Sequence, residues 1–300
     1  RHDGQVGASF VKYKPGDKVW VRTVPANPGV DTDQPQYVIT DRNRTPALVV
    51  ITLIFVVAVL AVSKLKGLRS LVSLLISFGV IFQLMLPLLI KGWQPVTVSL
   101  LTAAIIIPVS FYLSHGWNKK THVAVFGTTL ALLFSIFLAV TFVNNAHLTG
   151  FASEEAGLLN VEQQGSLNIQ GLLLAGLIIG LLGTLDDITV SQSAFVFQMN
   201  QDNPDFSLKK LYQKAMKIGQ DHIASMVNTL VLVYAGSALP LLLLFVNNPQ
   251  PMAYILNQEI VAEEIIRTLI GSIGLIFAAP LTTFLAAAVA KRKELTNLIK

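Results

Sequence analysis

Long runs without a single charged residue dominate this chain, and they constrain its fold more than any other feature. Seven of them lie at 46–63, 70–90, 95–113, 123–143, 169–185, 223–246 and 268–290. A hydrocarbon core of roughly 30 Å takes about 20 apolar residues in a helix, so each run is long enough to span a bilayer or nearly so. Buried helices of soluble proteins seldom stay uncharged on every face for so long. The composition agrees: 53% of the 300 residues are hydrophobic and 13% are charged, where soluble domains carry about 25%. The expected fold is therefore an all-α polytopic membrane protein with seven transmembrane helices. Cysteine is absent, which removes disulfide scaffolds, thiolate metal sites and cysteine nucleophiles together.

The scarce charges set the expected orientation, because Lys and Arg accumulate in short cytoplasmic loops. Lys64, Lys66 and Arg69 follow the first run, Lys119 and Lys120 the third, and Lys209, Lys210, Lys214 and Lys217 the fifth; Lys291, Arg292, Lys293 and Lys300 close the chain. The alternate loops hold Lys91, then Glu154, Glu155 and Glu162, then Glu259, Glu263 and Glu264 with Arg267. This alternation places the N-terminal segment outside and the C-terminus inside. The net charge of +5 is thus explained by topology, and nucleic acid is not an expected partner.

Three parts follow. Residues 1–45 are polar. The turn signal Pro15-Gly16-Asp17 before Lys18 to Val24, with a second alternating run at Tyr37 to Thr40, predicts a small extracytoplasmic β segment, too short for a core of its own. Residues 46–290 form the transmembrane domain and 291–300 a cytoplasmic tail. Within the domain, residues 204–219 predict an amphipathic helix capped by Ser207 and stopped by Gly219. Its apolar face, Leu208, Leu211, Tyr212, Ala215 and Ile218, should lie in the inner leaflet, with Lys209, Lys210, Lys214 and Lys217 against anionic lipid. The chain opens on Arg1 rather than methionine, which leads us to expect a processed or truncated chain.

Ionisable groups at membrane depth are functional candidates by default. At 1.5 Å per residue, Asp186 and Asp187 lie roughly 25 Å along the fifth span, near its inner end, while Asp221 and His222 mark the inner mouth of the sixth span and Asn228 about 10 Å beyond them. The two groups are expected to converge on one polar, cytoplasm-facing site. Adjacent aspartates point about 100° apart on a helix, so a break near Gly180 and Gly183 is expected to let both face it. Carboxylates, an imidazole and amides suit a cation or a proton relay and leave the metal question open; no cofactor is indicated. Blander roles compete: Asp186-Asp187 at the helix end in water, Asp221 as a cap, His222 as an interfacial residue, Asn228 as a bond between helices. Gly176-xxx-Gly180 predicts close helix packing, and Pro87, Pro108, Pro240 and Pro280 predict kinks.

The runs Gly183-Thr184-Leu185-Asp186-Asp187-Ile188-Thr189-Val190-Ser191-Gln192 and Gly219-Gln220-Asp221-His222-Ile223-Ala224-Ser225-Met226-Val227-Asn228-Thr229-Leu230, with Tyr234 to Leu242 after them, resemble the YibE/F family of bacterial multi-pass membrane proteins. The resemblance covers residues 37–290. It implies a bacterial cell-membrane location, an eighth N-terminal span in family members, and no known reaction. It adds Gln192 to the candidate solute- or ion-binding set of Asp186, Asp187, Asp221, His222, Asn228 and Thr229. A transporter or permease is the leading expectation and a non-transporting membrane scaffold the alternative. An intramembrane enzyme is weakest, because neighbouring carboxylates on one helix do not oppose each other across a substrate. Self-association is compatible with all of these.

Overall fold

A computed structural model of the chain describes residues 13–24, 36–246 and 250–291. The expected tail beyond Lys291 and the first twelve residues lie outside that set. Two compact units emerge, residues 1–65 and 66–300.

In the first unit, β1 (Val19–Val24) pairs antiparallel with β2 (Gln36–Arg42), with a register irregularity between Trp20 and Val21. Pro15 and Gly16 make the turn that feeds β1. Gly16 takes φ +99°, a conformation glycine adopts without a steric penalty, and Asp17 N–H donates to the Lys14 carbonyl at 3.0 Å. The Arg42 guanidinium closes the sheet onto this turn, 2.6 Å from Asp17. Helix α1 (Thr45–Val80) starts where Asn43 Oδ1 accepts from Thr45 N–H at 3.0 Å. At Lys64 the backbone leaves helical geometry, φ 50° and ψ −130°. The first and second apolar runs are thus separate helical pieces, but their divide is one residue rather than the six-residue loop that the charges predict.

In the second unit α1 continues to Val80 and passes into a π-helical turn, Ile81–Met85, and then α2 (Leu86–Ile90). Pro87 explains the turn: it brings no N–H, and its ring crowds the carbonyl four residues back, so the preceding ladder widens. Next come α3 (Pro95–His115), α4 (Lys119–Asn145), α5 (Glu154–Glu162), α6 (Ile169–Asp202), α7 (Leu208–Ser237), α8 (Leu239–Val246), α9 (Met252–Leu256) and α10 (Glu259–Ala290). Pro108 and Pro280 sit inside continuous helices, whereas α7 and α8 bend by 67° at Ala238, just before Pro240. Among the described residues, five helices are long and apolar enough to cross a membrane, or six if the bent pair counts as one span; Thr45–Ile90 enters this count once, as 46 residues.

The core is built from α4, α6 and α10, with α3 and α7 against them. Its packing is inverted relative to a soluble bundle. On α4 the buried positions include Ala124, Gly127, Thr128, Ala131, Ser135 and Ala139, while Phe126, Leu133, Phe137 and Phe142 face outward. Small residues let backbones approach where no hydrophobic effect drives helices together, and large apolar side chains suit a lipid solvent. The close approaches are specific. A Cβ on Gly127 would stand 2.5 Å from Thr282 Oγ1, one on Gly274 would overlap Ser135, and one on Gly171 would stand 2.9 Å from Pro95. Hydroxyls then bond across helices: Thr128 to Thr189 at 2.6 Å, and Ser193 to the Lys120 carbonyl at 2.8 Å. Gly176, Gly180 and Gly183 have open space beside them, so the expected Gly176-xxx-Gly180 contact is not formed.

A carboxylate ties the far end of the bundle. Glu259, in the first turn of α10, accepts from Thr149 N–H at 2.5 Å, Gly150 N–H at 2.9 Å and the Thr149 hydroxyl. Gln170 donates to the Leu148 carbonyl at 2.7 Å, so one loop is held by both α6 and α10.

Candidate functional site

Helix α6 carries the aspartate pair. It begins at the Asn168 cap, whose Oδ1 accepts from Gly171 N–H at 2.8 Å, and runs unbroken to Asp202. The break expected near Gly180 and Gly183 does not occur. Leu181, Leu185, Ile188 and Thr189 are buried on either side of the pair and hold this stretch in regular geometry, and the glycines sit on an open face with no neighbour to displace them. Asp186 is half-buried and Asp187 exposed. Both nevertheless line one cavity of about 590 Å³, because that cavity is wide enough to span the arc between them.

The cavity is not where sequence reasoning expects it. Its walls are the second piece of α1, with Ser70, Ser73 and Ser77; α3, with Ser110 and Ser114; and α6, with Asp186, Asp187 and Ser191. It therefore opens among the second, third and fifth apolar runs rather than between the fifth and sixth. The Ser77 hydroxyl donates to the Ser73 carbonyl at 3.0 Å, while Ser73 Oγ is buried, 2% exposed, and has no hydrogen-bond partner. A buried hydroxyl without a partner forfeits roughly 1–3 kcal/mol unless something supplies one. A second chamber of about 250 Å³ shares Ser114, His115 and Val190 with the first, and Lys66, Arg69, Lys120 and Thr121 line it. Carboxylates and serine hydroxyls thus occupy one chamber and cationic side chains the next.

The remaining candidates are scattered. Gln192 is completely buried where three helices meet. Thr283 Oγ1 of α10 lies 3.0 Å from its Oε1, Gly219 of α7 packs against its amide, and its Nε2 has no partner. That position gives it a packing role in this structure, away from both chambers. Gly219 does not stop a helix: α7 runs on from its Ser207 cap to Ser237, because the absent side chain is what admits the Gln192 amide. The amphipathic stretch and the start of the sixth run are consequently one 30-residue helix, about 45 Å long at 1.5 Å per residue. Its apolar face meets protein rather than lipid, with Leu211 and Ala215 buried in a cluster with Val196, Ala286 and Ala287.

Further along α7, Ile223, Met226, Val227 and Tyr234 pack on the core, while Asp221, Ser225, Asn228 and Thr229 are exposed on the other side. His222, half-buried, is near enough to act electrostatically on Asp187. The two predicted clusters therefore meet through Asp187 and His222 alone, and Asp221, Asn228 and Thr229 line neither chamber. Among the described residues, no group of three or more His, Asp or Glu side chains is arranged to hold a metal ion.

The serines escaped sequence reasoning. Their signal was present as Ser70, Ser73 and Ser77 at i, i+3 and i+7 and Ser110 with Ser114 at i, i+4, each a polar stripe on an otherwise apolar helix. Lys66, Arg69 and Lys120 are legible only as topology signals until the fold brings them to one chamber.

No curated protein and no solved structure matches the chain. The family model described as YibE/F-like protein matches residues 51–292, most of the chain and all of both chambers. Resemblance, apolar helices and inverted packing converge: the chain is a membrane protein that belongs to the YibE/F-like family.

Proposed function

We propose that this protein is a permease of the bacterial cell membrane, not an enzyme, with seven spans, the N-terminal β segment outside and the C-terminus inside. The break at Lys64 supplies two spans from the 46-residue apolar stretch, and the bent α7–α8 pair supplies another. The serine-lined cavity then opens toward the cytoplasmic side, and Lys66, Arg69 and Lys120 line the chamber next to it. A small polar solute or cation passes through it, with the hydroxyls replacing its water and Asp186 and Asp187 binding it or exchanging protons. His222 modulates Asp187 from the α7 side. Lys209, Lys210, Lys214 and Lys217, all exposed, face anionic headgroups at the inner surface.

The observation that carries this reading is the roughly 590 Å³ cavity lined by two carboxylates and a row of serines. Purified protein in liposomes is expected to move protons or a member of a panel of monovalent and divalent cations and small amino acids. Asp186→Asn with Asp187→Asn should abolish the flux. Liposomes that pass nothing in that panel, or flux that survives the double substitution, would refute it.

A second reading, a membrane assembly component, is favoured by the exposed polar face of α7, because Asp221, Ser225 and Asn228 at membrane depth call for a protein neighbour. A single cysteine at Asn228 that cross-links to another polypeptide in native membranes supports it; one that reacts only with lipid-phase reagents rejects it.

A further inference from the structure

The smaller chamber has a chemistry of its own. It abuts the first turn of α4, a 27-residue helix whose N-terminus carries positive potential and leaves backbone N–H groups without intrahelical acceptors. The turn is rigidly placed. Asn118 Oδ1 accepts from Thr121 N–H at 3.1 Å, Asn118 Nδ2 donates to the His115 carbonyl at 2.9 Å, and Ser193 holds the Lys120 carbonyl from α6. Around it stand Lys66 and Arg69 from α1 and Lys120 from α4 itself. No carboxylate lines this chamber; Asp186 and Asp187 line its neighbour.

One independent observation marks the place as built for a ligand. Thr121 is 3% exposed and lines the chamber, and its Oγ1 has no hydrogen-bond partner. A hydroxyl donor with nothing to bond, beside three cations and a helix N-terminus, lacks only an acceptor with negative charge. A carboxylate offers two coplanar oxygens, whereas the tetrahedral oxygens of a phosphate, with up to two charges when free and one in a phosphodiester headgroup, can meet a guanidinium fork, ammonium groups and a hydroxyl together.

We propose that this chamber is a phosphate-binding site, in which Arg69, Lys66 and Lys120 neutralise the group and Thr121 donates to one of its oxygens. The phosphate belongs either to a soluble phosphate or to the headgroup of an anionic phospholipid at the membrane surface. The site does not depend on whether the larger cavity moves a solute.

The full chain in a maltoside detergent provides the test, titrated with inorganic phosphate and followed by ³¹P NMR, with phosphatidylglycerol retention scored by native mass spectrometry. The wild type is expected to hold one of the two. Arg69→Gln with Lys120→Gln should weaken that binding at least tenfold, and Thr121→Val, which keeps shape and charge, by a few fold. Lys91→Gln, exposed at the end of α2 and in neither chamber, should leave it unchanged. Phosphate binding identifies a soluble source, and phosphatidylglycerol retention without phosphate binding a lipid source. Absence of both, or equal binding by the Arg69, Lys120 and Thr121 variants, overturns the site.

Discussion

Gly180 on α6 and Gly219 on α7 behave oppositely. Gly180 has open space around it, so Gly180→Ala adds a methyl without a clash and removes backbone entropy from the unfolded chain, a gain of about 0.5–1 kcal/mol. Gly219 touches the Gln192 amide, so Gly219→Ala must displace a fully buried side chain and should cost about 1–3 kcal/mol. Thermal unfolding in detergent micelles should raise the midpoint of the first variant and lower that of the second. The sequence assigns these residues the reverse roles, packing at 180 and termination at 219. Composition and spacing report which positions are small, and only the neighbouring helix decides which of them is in contact. Asp41, in the aqueous segment, gives a residue-scale prediction in pH. The Arg44 guanidinium, 2.7 Å away, and then the Arg42 N–H hold its carboxyl below the ordinary aspartate value. A group depressed in the folded state contributes its stability above the unfolded pKa and loses it as pH falls through the folded one. An NMR titration should find the Asp41 midpoint below that of a model aspartate, and Arg44→Gln should move it upward.

At the scale of elements, hydropathy located the helices well, because a lipid-crossing segment must satisfy every backbone group within itself and so writes its length into the sequence. Local rules also held where the cause is local. Ser207 caps α7, its Oγ accepting from Lys210 N–H at 3.4 Å, and the chain bends beside Pro240. Prolines 108 and 280 show the limit of that rule, since their helices continue without a break in the assignment. The loop staple at Glu259 was not legible, because its partners Thr149 and Gly150 are 110 and 109 residues away. Glu259→Ala strips a charged acceptor from two N–H groups and a hydroxyl on a loop that is largely exposed, where water replaces part of the loss, so it should cost about 1–2 kcal/mol. Hydrogen exchange is expected to rise at Thr149 and Gly150 while protection at the centre of α4 stays as it was.

At the scale of the whole molecule, the sequence shows which helices carry polar groups but not which helices become neighbours. The aspartate pair was found from its rarity in an apolar run. Of its expected partners on α7, His222 acts on Asp187 while Asp221, Asn228 and Thr229 line neither chamber, and nothing in a single chain says that α1 and α3 bring serines to the same face of α6. Orientation is the property on which the permease proposal and the lipid source of the proposed phosphate both depend, and this chain permits a clean measurement of it. With no cysteine in the sequence, any introduced thiol is unique. The proposed orientation puts Glu155, on α5, outside, and Lys214, on the exposed side of α7, inside. A membrane-impermeant maleimide should label Glu155→Cys in intact cells and Lys214→Cys only after permeabilisation, and Lys66→Cys should follow the inner pattern, as the proposed two spans on either side of the Lys64 break require. If Lys66→Cys instead labels with Glu155→Cys while Lys214→Cys stays protected, the apolar stretch from Thr45 to Ile90 does not cross twice as proposed. The basic chamber would then face outward and away from anionic inner-leaflet lipid, which would leave soluble phosphate as its ligand.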